Sequence, residues 1–173
     1  MQDNLNSIVN MFRNAIIAAK ENFRFSCKDR MHRFPHGCCD DASDLLGYYL
    51  LHKYDIRTIQ ITGTYRDGIP ENTINHAWLK AEDETDIDIT VDQFISMTNK
   101  PGFISANDNF YSLFKGQKRH DNYDIHSCER LWNDYQIINQ YLGIYADTDL
   151  ETQQTLSDAI TPEILRKLVE GLR

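Results

Sequence analysis

A thiol, an imidazole and a carboxylate make a carbonyl-attacking site when a helix tip and two neighbouring strands bring them together, and Cys39, His76 and Asp88 occur in an order that allows it. A thiol is a useful nucleophile only as thiolate, and unpaired N–H groups at a helix N-terminus favour that anion. Cys39 opens an apolar stretch that reads as a helix. His76 lies in Asn75-His76-Ala77-Trp78, at the start of a strand pattern in which Ala77, Leu79 and Ala81 face inward. The histidine is then expected on the solvent side. Asp88, on the following strand, is expected to orient the ring by accepting its Nδ1 proton. The readings this constellation competes with are a buried structural thiol, a strand histidine satisfied by packing, and an acidic hairpin that is simply solvated.

The elements that must position these groups follow from periodicity. Residues 4–23 place Ile8, Met11, Phe12, Ala15, Ile16, Ala19 and Phe23 at helical spacing, which predicts an amphipathic helix. Phe34-Pro35-His36-Gly37 marks a turn that delivers the chain to the cysteine pair, Cys38 and Cys39. From 39 to 54, Ala42, Leu45, Leu46, Tyr49 and Leu50 predict a second helix. Three strands are predicted at 56–65, 75–81 and 86–91, the last two joined by the acidic turn Glu82-Asp83-Glu84 as a hairpin.

The hairpin allows a check of parity. Opposed residues of an antiparallel pair share a face and sum to a constant; a turn centred near 82 or 83 gives about 164 or 166. Both are even, so His76 and Asp88 share a face in either register, directly opposed or one diagonal step apart. Asp86 and Asp92 have the same parity and are rivals. Asp88 is preferred as the closest in register.

Beyond the hairpin the pattern is weaker. Residues 93–126 predict loop, one short helix and an edge strand, with a turn at Lys100-Pro101-Gly102 and a polar run from Lys115 to Asp124. A helix is predicted from Ser127 or Cys128 to about Leu142, and Thr161-Pro162-Glu163 opens a final one. We assign residues 1–145 to a catalytic domain and 146–173 to an acidic connector and C-terminal helix, either part of the same domain or a docking element. The fold class expected is α+β, with the nucleophile helix packed on a small antiparallel sheet.

The 173 residues, 41% of them hydrophobic and nineteen aromatic (nine Tyr, eight Phe, two Trp), describe a globular chain able to bury a core without disulfide staples. A formal charge of −8 disfavours nucleic acid as a partner, because phosphate binding relies on clustered Lys and Arg. No apolar run approaches the roughly 18–20 residues that span a bilayer, and MQDNLNS lacks the form of a targeting signal, so no membrane partner is expected. The expected location is cytoplasmic, or outside the cell by an export route that needs no N-terminal signal. Cys27, His32, His36, Cys38 and Cys39 are soft ligands, but their spacing is not that of a zinc site; no metal and no cofactor are expected.

Gly37-Cys38-Cys39-Asp40-Asp41-Ala42-Ser43 resembles the G-x-C-x-x-x-S nucleophile segment of papain-like cysteine proteases, and Asn75-His76-Ala77 resembles their histidine strand. His76-Ala77-Trp78 followed by Asp88-Ile89-Thr90 is similar to the H-x-W and D-x-T strands of the transglutaminase-like branch. The resemblance covers residues 33–92. It implies a papain-like fold and a cysteine hydrolase of amide bonds acting on a protein or peptide, as protease or glutamine deamidase of the bacterial effector and toxin kind. The alternatives are an acyl or amine transferase of the same fold and a non-catalytic protein-binding module. The family's oxyanion donor, a Gln six residues before the cysteine, falls on Arg33 here, which can donate hydrogen bonds beside the Cys39 backbone N–H. Asp40 stands where those families often have Trp, and with Asp41 it would oppose the thiolate unless both side chains point away. Trp78 is expected to pack beside the site, with substrate contact as its other reading.

Overall fold

The apolar positions of the first helical stretch form a helix, α1 (Gln2–Glu21), in a computed structural model that describes residues 2–66, 73–98, 104–105, 109–122 and 124–146. Val9, Phe12, Ala15, Ile16 and Ala19 are buried along its inner stripe. Phe23 does not extend that stripe as expected. The helix ends at Glu21, and Phe23 has a left-handed backbone (φ 55°) and an exposed ring.

The chain divides into two compact units, one of residues 1–34 with 133–173 and one of residues 35–132. In the first unit Asp29 caps a 3-10 turn, Arg30–Arg33, by accepting the Met31 N–H, and Lys20 donates to the Phe34 carbonyl at 2.6 Å. The predicted connector and final helix lie beyond residue 146, outside the described residues.

The second unit contains the sheet. Gly37, at φ +67°, takes a backbone that other residues adopt only with strain, and turns the chain into α2 (Cys39–Tyr54). Ala42, Leu45, Leu46, Tyr49 and Leu50 are buried, as their spacing predicts, and Asp55 closes the helix in the left-handed region. Strands β1 (Thr58–Arg66), β2 (Thr73–Ala81), β3 (Asp86–Asp88), β4 (Ile104–Ser105) and β5 (Lys115–Asp121) form an antiparallel sheet in the order β4-β3-β2-β1-β5. The architecture is α+β. A single helical turn, α3 (Ile95–Thr98), follows β3 and a 3-10 turn, and α4 (Glu129–Ala146) is the last described helix.

The β2–β3 hairpin has the second of the two registers anticipated: Leu79 pairs with Ile87 and Lys80 with Asp86. On one face of β1 and β2, Ile61 and Trp78 pair directly and join Val91, Phe94, Phe110, Tyr111 and Phe114 in one apolar cluster. Those last five come from the segment after the hairpin. Among the described residues no helix is long and apolar enough to cross a membrane.

Candidate active site

The tip of α2 and the β2–β3 hairpin bring Cys39, His76 and Asp88 together. His76 Nε2 lies 2.6 Å from Asp88 Oδ2, and Cys39 is close enough to help hold the ring's proton. Asp88 therefore takes Nε2 rather than the Nδ1 expected, and Nδ1 is the nitrogen left for the thiol.

His76 is also not on a solvent face. Only 2% of it is exposed, because the face that strand alternation assigns to water is covered by aromatic rings. Phe94 meets the imidazole edge-on at 4.7 Å, Trp78 stacks at 5.8 Å and Phe114 tilts against it at 5.4 Å. Gly63, opposite His76 in register, allows this packing, since a Cβ there would stand 2.8 Å from the Phe114 Cβ.

A buried carboxylate is tolerable only when donors replace its water. Asp88, 2% exposed, accepts from four. Oδ1 takes the Thr90 N–H and the Thr90 hydroxyl, each at 2.8 Å, and Oδ2 takes His76 and, at 3.1 Å, the Tyr111 hydroxyl. The ring's own proton affinity reflects this setting. Burial is the largest single influence and works against its charge, but the charge and hydrogen bond of Asp88, followed by those of Cys39, outweigh it and raise the His76 pKa from 6.5 to about 9. Together these influences favour the protonated ring.

The rival carboxylates are otherwise engaged. Asp86 accepts the Trp78 indole N–H at 2.9 Å and pairs with Lys80 at 2.9 Å. Asp92 lies in a 3-10 turn, Val91–Phe94, where strand parity no longer applies. Trp78 is fully buried with its one donor on Asp86, which makes it a packing residue under the histidine rather than a wall open to substrate. Arg33 is exposed and ends the 3-10 turn of the first unit.

Cys38 is buried, Cys39 half-buried, and neither is in a disulfide. Asp41, expected to oppose a thiolate, has its Oδ1 2.8 Å from the Arg130 guanidinium, which compensates its charge. The Asp40 carbonyl accepts from Gln60, which ties the first turn of α2 to β1. The N-cap residue of α2, Cys38, makes no capping hydrogen bond through its side chain.

Two neighbours of the site were not anticipated. Tyr111 reaches Asp88 from a 3-10 turn (Asn109–Leu113) 23 residues on, with no local pattern to announce it. Gln93 places its amide nitrogen 3.5 Å from His76 Nδ1. The only local cue was its place three residues after Thr90 in a polar-apolar run. A cavity of about 580 Å³, lined among others by Arg57, Lys80, Glu84 and Arg119, includes none of the three candidate residues. Among the described residues no three His, Cys, Asp or Glu side chains converge as a metal-holding group. Compared with protein-family models, with curated proteins and with solved structures, the chain matches none.

Proposed function

We propose that this chain is a cysteine hydrolase of amide bonds in proteins or peptides, on a papain-like or transglutaminase-like version of its α+β architecture. The observation that carries this reading is the buried His76–Asp88 pair at 2.6 Å with the half-buried Cys39 thiol near the ring. Stability alone does not call for such a pair, since well-packed apolar residues are commonly as stable as a buried ion pair. A cationic imidazole beside a thiol, in contrast, favours the thiolate.

The chemistry follows from the geometry. Cys39 Sγ adds to the amide carbonyl, and the carbon–oxygen π pair moves onto oxygen, where the Cys39 backbone N–H at the tip of α2 can donate to it. The Nδ1 proton of His76 goes to the leaving nitrogen as the C–N bond breaks, leaving a thioester on Cys39. His76, now neutral, takes a proton from water as the water attacks, and thiolate and imidazolium are restored with release of the acid. Asp88 keeps Nε2–H bonded throughout and so holds Nδ1 toward sulfur. A backbone amide as substrate makes the reaction proteolysis; a glutamine side chain makes it deamidation, with ammonia leaving.

The test is mass spectrometry of glutamine-bearing proteins and peptides incubated with wild type or Cys39→Ala. The expected result is a chain cut or conversion of glutamine to glutamate that the variant does not produce. The same product from the variant contradicts the proposal.

A further inference from the structure

We propose that Gln93 donates its side-chain amide N–H to the oxyanion formed on a carbonyl attacked by Cys39, the part that the sequence resemblance assigned to Arg33. This rests on the reading of Cys39 as nucleophile.

The placement of Gln93 is over-determined. It sits in the 3-10 turn Val91–Phe94, whose two end residues are buried in the aromatic cluster, and its backbone N–H bonds the Thr90 carbonyl at 3.1 Å. Its Nε2 donates to that same carbonyl at 3.0 Å. Thr90 is in turn held by two hydrogen bonds to Asp88, and Asp88 by His76. The amide is thus fixed by the network that fixes the imidazole.

Its orientation follows from the partners. A carbonyl oxygen only accepts, so the amide atom facing Thr90 is the nitrogen. That nitrogen carries two protons, and one serves Thr90. The second lies on the side of His76 Nδ1, 3.5 Å away, at the outer limit of a hydrogen bond. When Nδ1 carries its own proton toward Cys39, as a ring with a pKa of about 9 does at neutral pH, two donors face each other and cannot pair. The second amide proton then needs another acceptor. Because the thiol and the amide are both neighbours of the same imidazole, an oxygen developing on a carbon bonded to Cys39 Sγ can form close to that proton. Gln93 is half-buried rather than sealed, so a substrate carbonyl can reach it.

Two probes that share the nucleophile but differ in the oxyanion separate this role from a structural one. Iodoacetamide alkylates sulfur by displacing iodide and forms no oxyanion. p-Nitrophenyl acetate is attacked at its carbonyl, passes through an oxyanion, and leaves an acetyl thioester on sulfur and free p-nitrophenolate. Gln93→Met keeps the chain length without a donor, and Gln93→Ala serves as a second variant should Met disturb the turn. The expected result is acylation of Cys39 slowed about 100- to 1000-fold while its alkylation rate and pH dependence are kept. Equal loss of both rates overturns the proposal and makes Gln93 a residue that only holds the ring; loss of neither overturns it as well, and selective loss of acylation in Arg33→Ala instead returns the role to Arg33. If Cys39 of the wild type alkylates no faster than the exposed Cys27, the nucleophile reading itself fails, an outcome recognisable before any Gln93 variant is made.

Discussion

Strands β2 and β5 flank the same central strand, β1, and their side chains meet opposite environments. In β2, His76, Ala77, Trp78 and Leu79 are buried in succession, so the strand is covered on both faces. In β5 all seven residues, Lys-Gly-Gln-Lys-Arg-His-Asp, are exposed. The backbone ladder alone can keep a strand in a sheet, and β5 needs little more; β2 needs every polar group matched, because a buried charge without a partner is among the most costly defects a fold can contain. The difference locates where substitutions should matter, and where they should not.

The largest effect on stability is expected from Asp88→Ala. It leaves the His76 ring and the Thr90 and Tyr111 donors buried without their acceptor, and should lower unfolding free energy by about 3–5 kcal/mol in urea titrations. A loss below about 0.5 kcal/mol would show that the pair is not the buried network described.

The pH dependence of stability is the next test. His76 has its pKa raised to about 9 in the folded chain against 6.5 for the free side chain, so the folded state binds its proton more tightly. That contribution is fully present below about pH 6.5 and is lost as pH rises toward 9, amounting to about 3 kcal/mol across the window. Urea midpoints should fall over that range in wild type and hold level in His76→Phe once other groups are matched. A wild-type curve parallel to the variant's contradicts the assignment.

A smaller loss is expected from Gly63→Ala. The added methyl would lie 2.8 Å from the Phe114 Cβ, and the repacking should cost about 1–3 kcal/mol in the same titrations. On the other flank, Lys118→Glu reverses a charge on an exposed position of β5 and should change stability by no more than about 0.5 kcal/mol. A large effect there would mean that β5 is held by its side chains after all.

The same contrast explains what could be read from the chain. Cys39, His76 and Asp88 were legible because helix and strand periods are regular: α2 begins at Cys39, and the even register sum of the hairpin places positions 76 and 88 on one face. The ring's burial was not, because it depends on Phe94 and Phe114. These lie around 3-10 turns, which have no apolar period to reveal which face they cover. Gln93 and Tyr111 were invisible for the same reason. The edge strand of the polar run Lys115–Asp124 was anticipated only in outline, since a strand exposed throughout shows no alternation of apolar and polar residues.

Under the proposed function the buried ring holds Cys39 reactive, and site-resolved alkylation with iodoacetamide at about pH 6.5 is the sharpest probe of that, since an unperturbed thiol of pKa about 8.5 reacts slowly there. Cys39 is expected to be labelled well ahead of Cys27, Cys38 and Cys128, and His76→Ala to remove the advantage. Labelling of Cys39 at the rate of the exposed Cys27, or an advantage that survives loss of the imidazole, would contradict it.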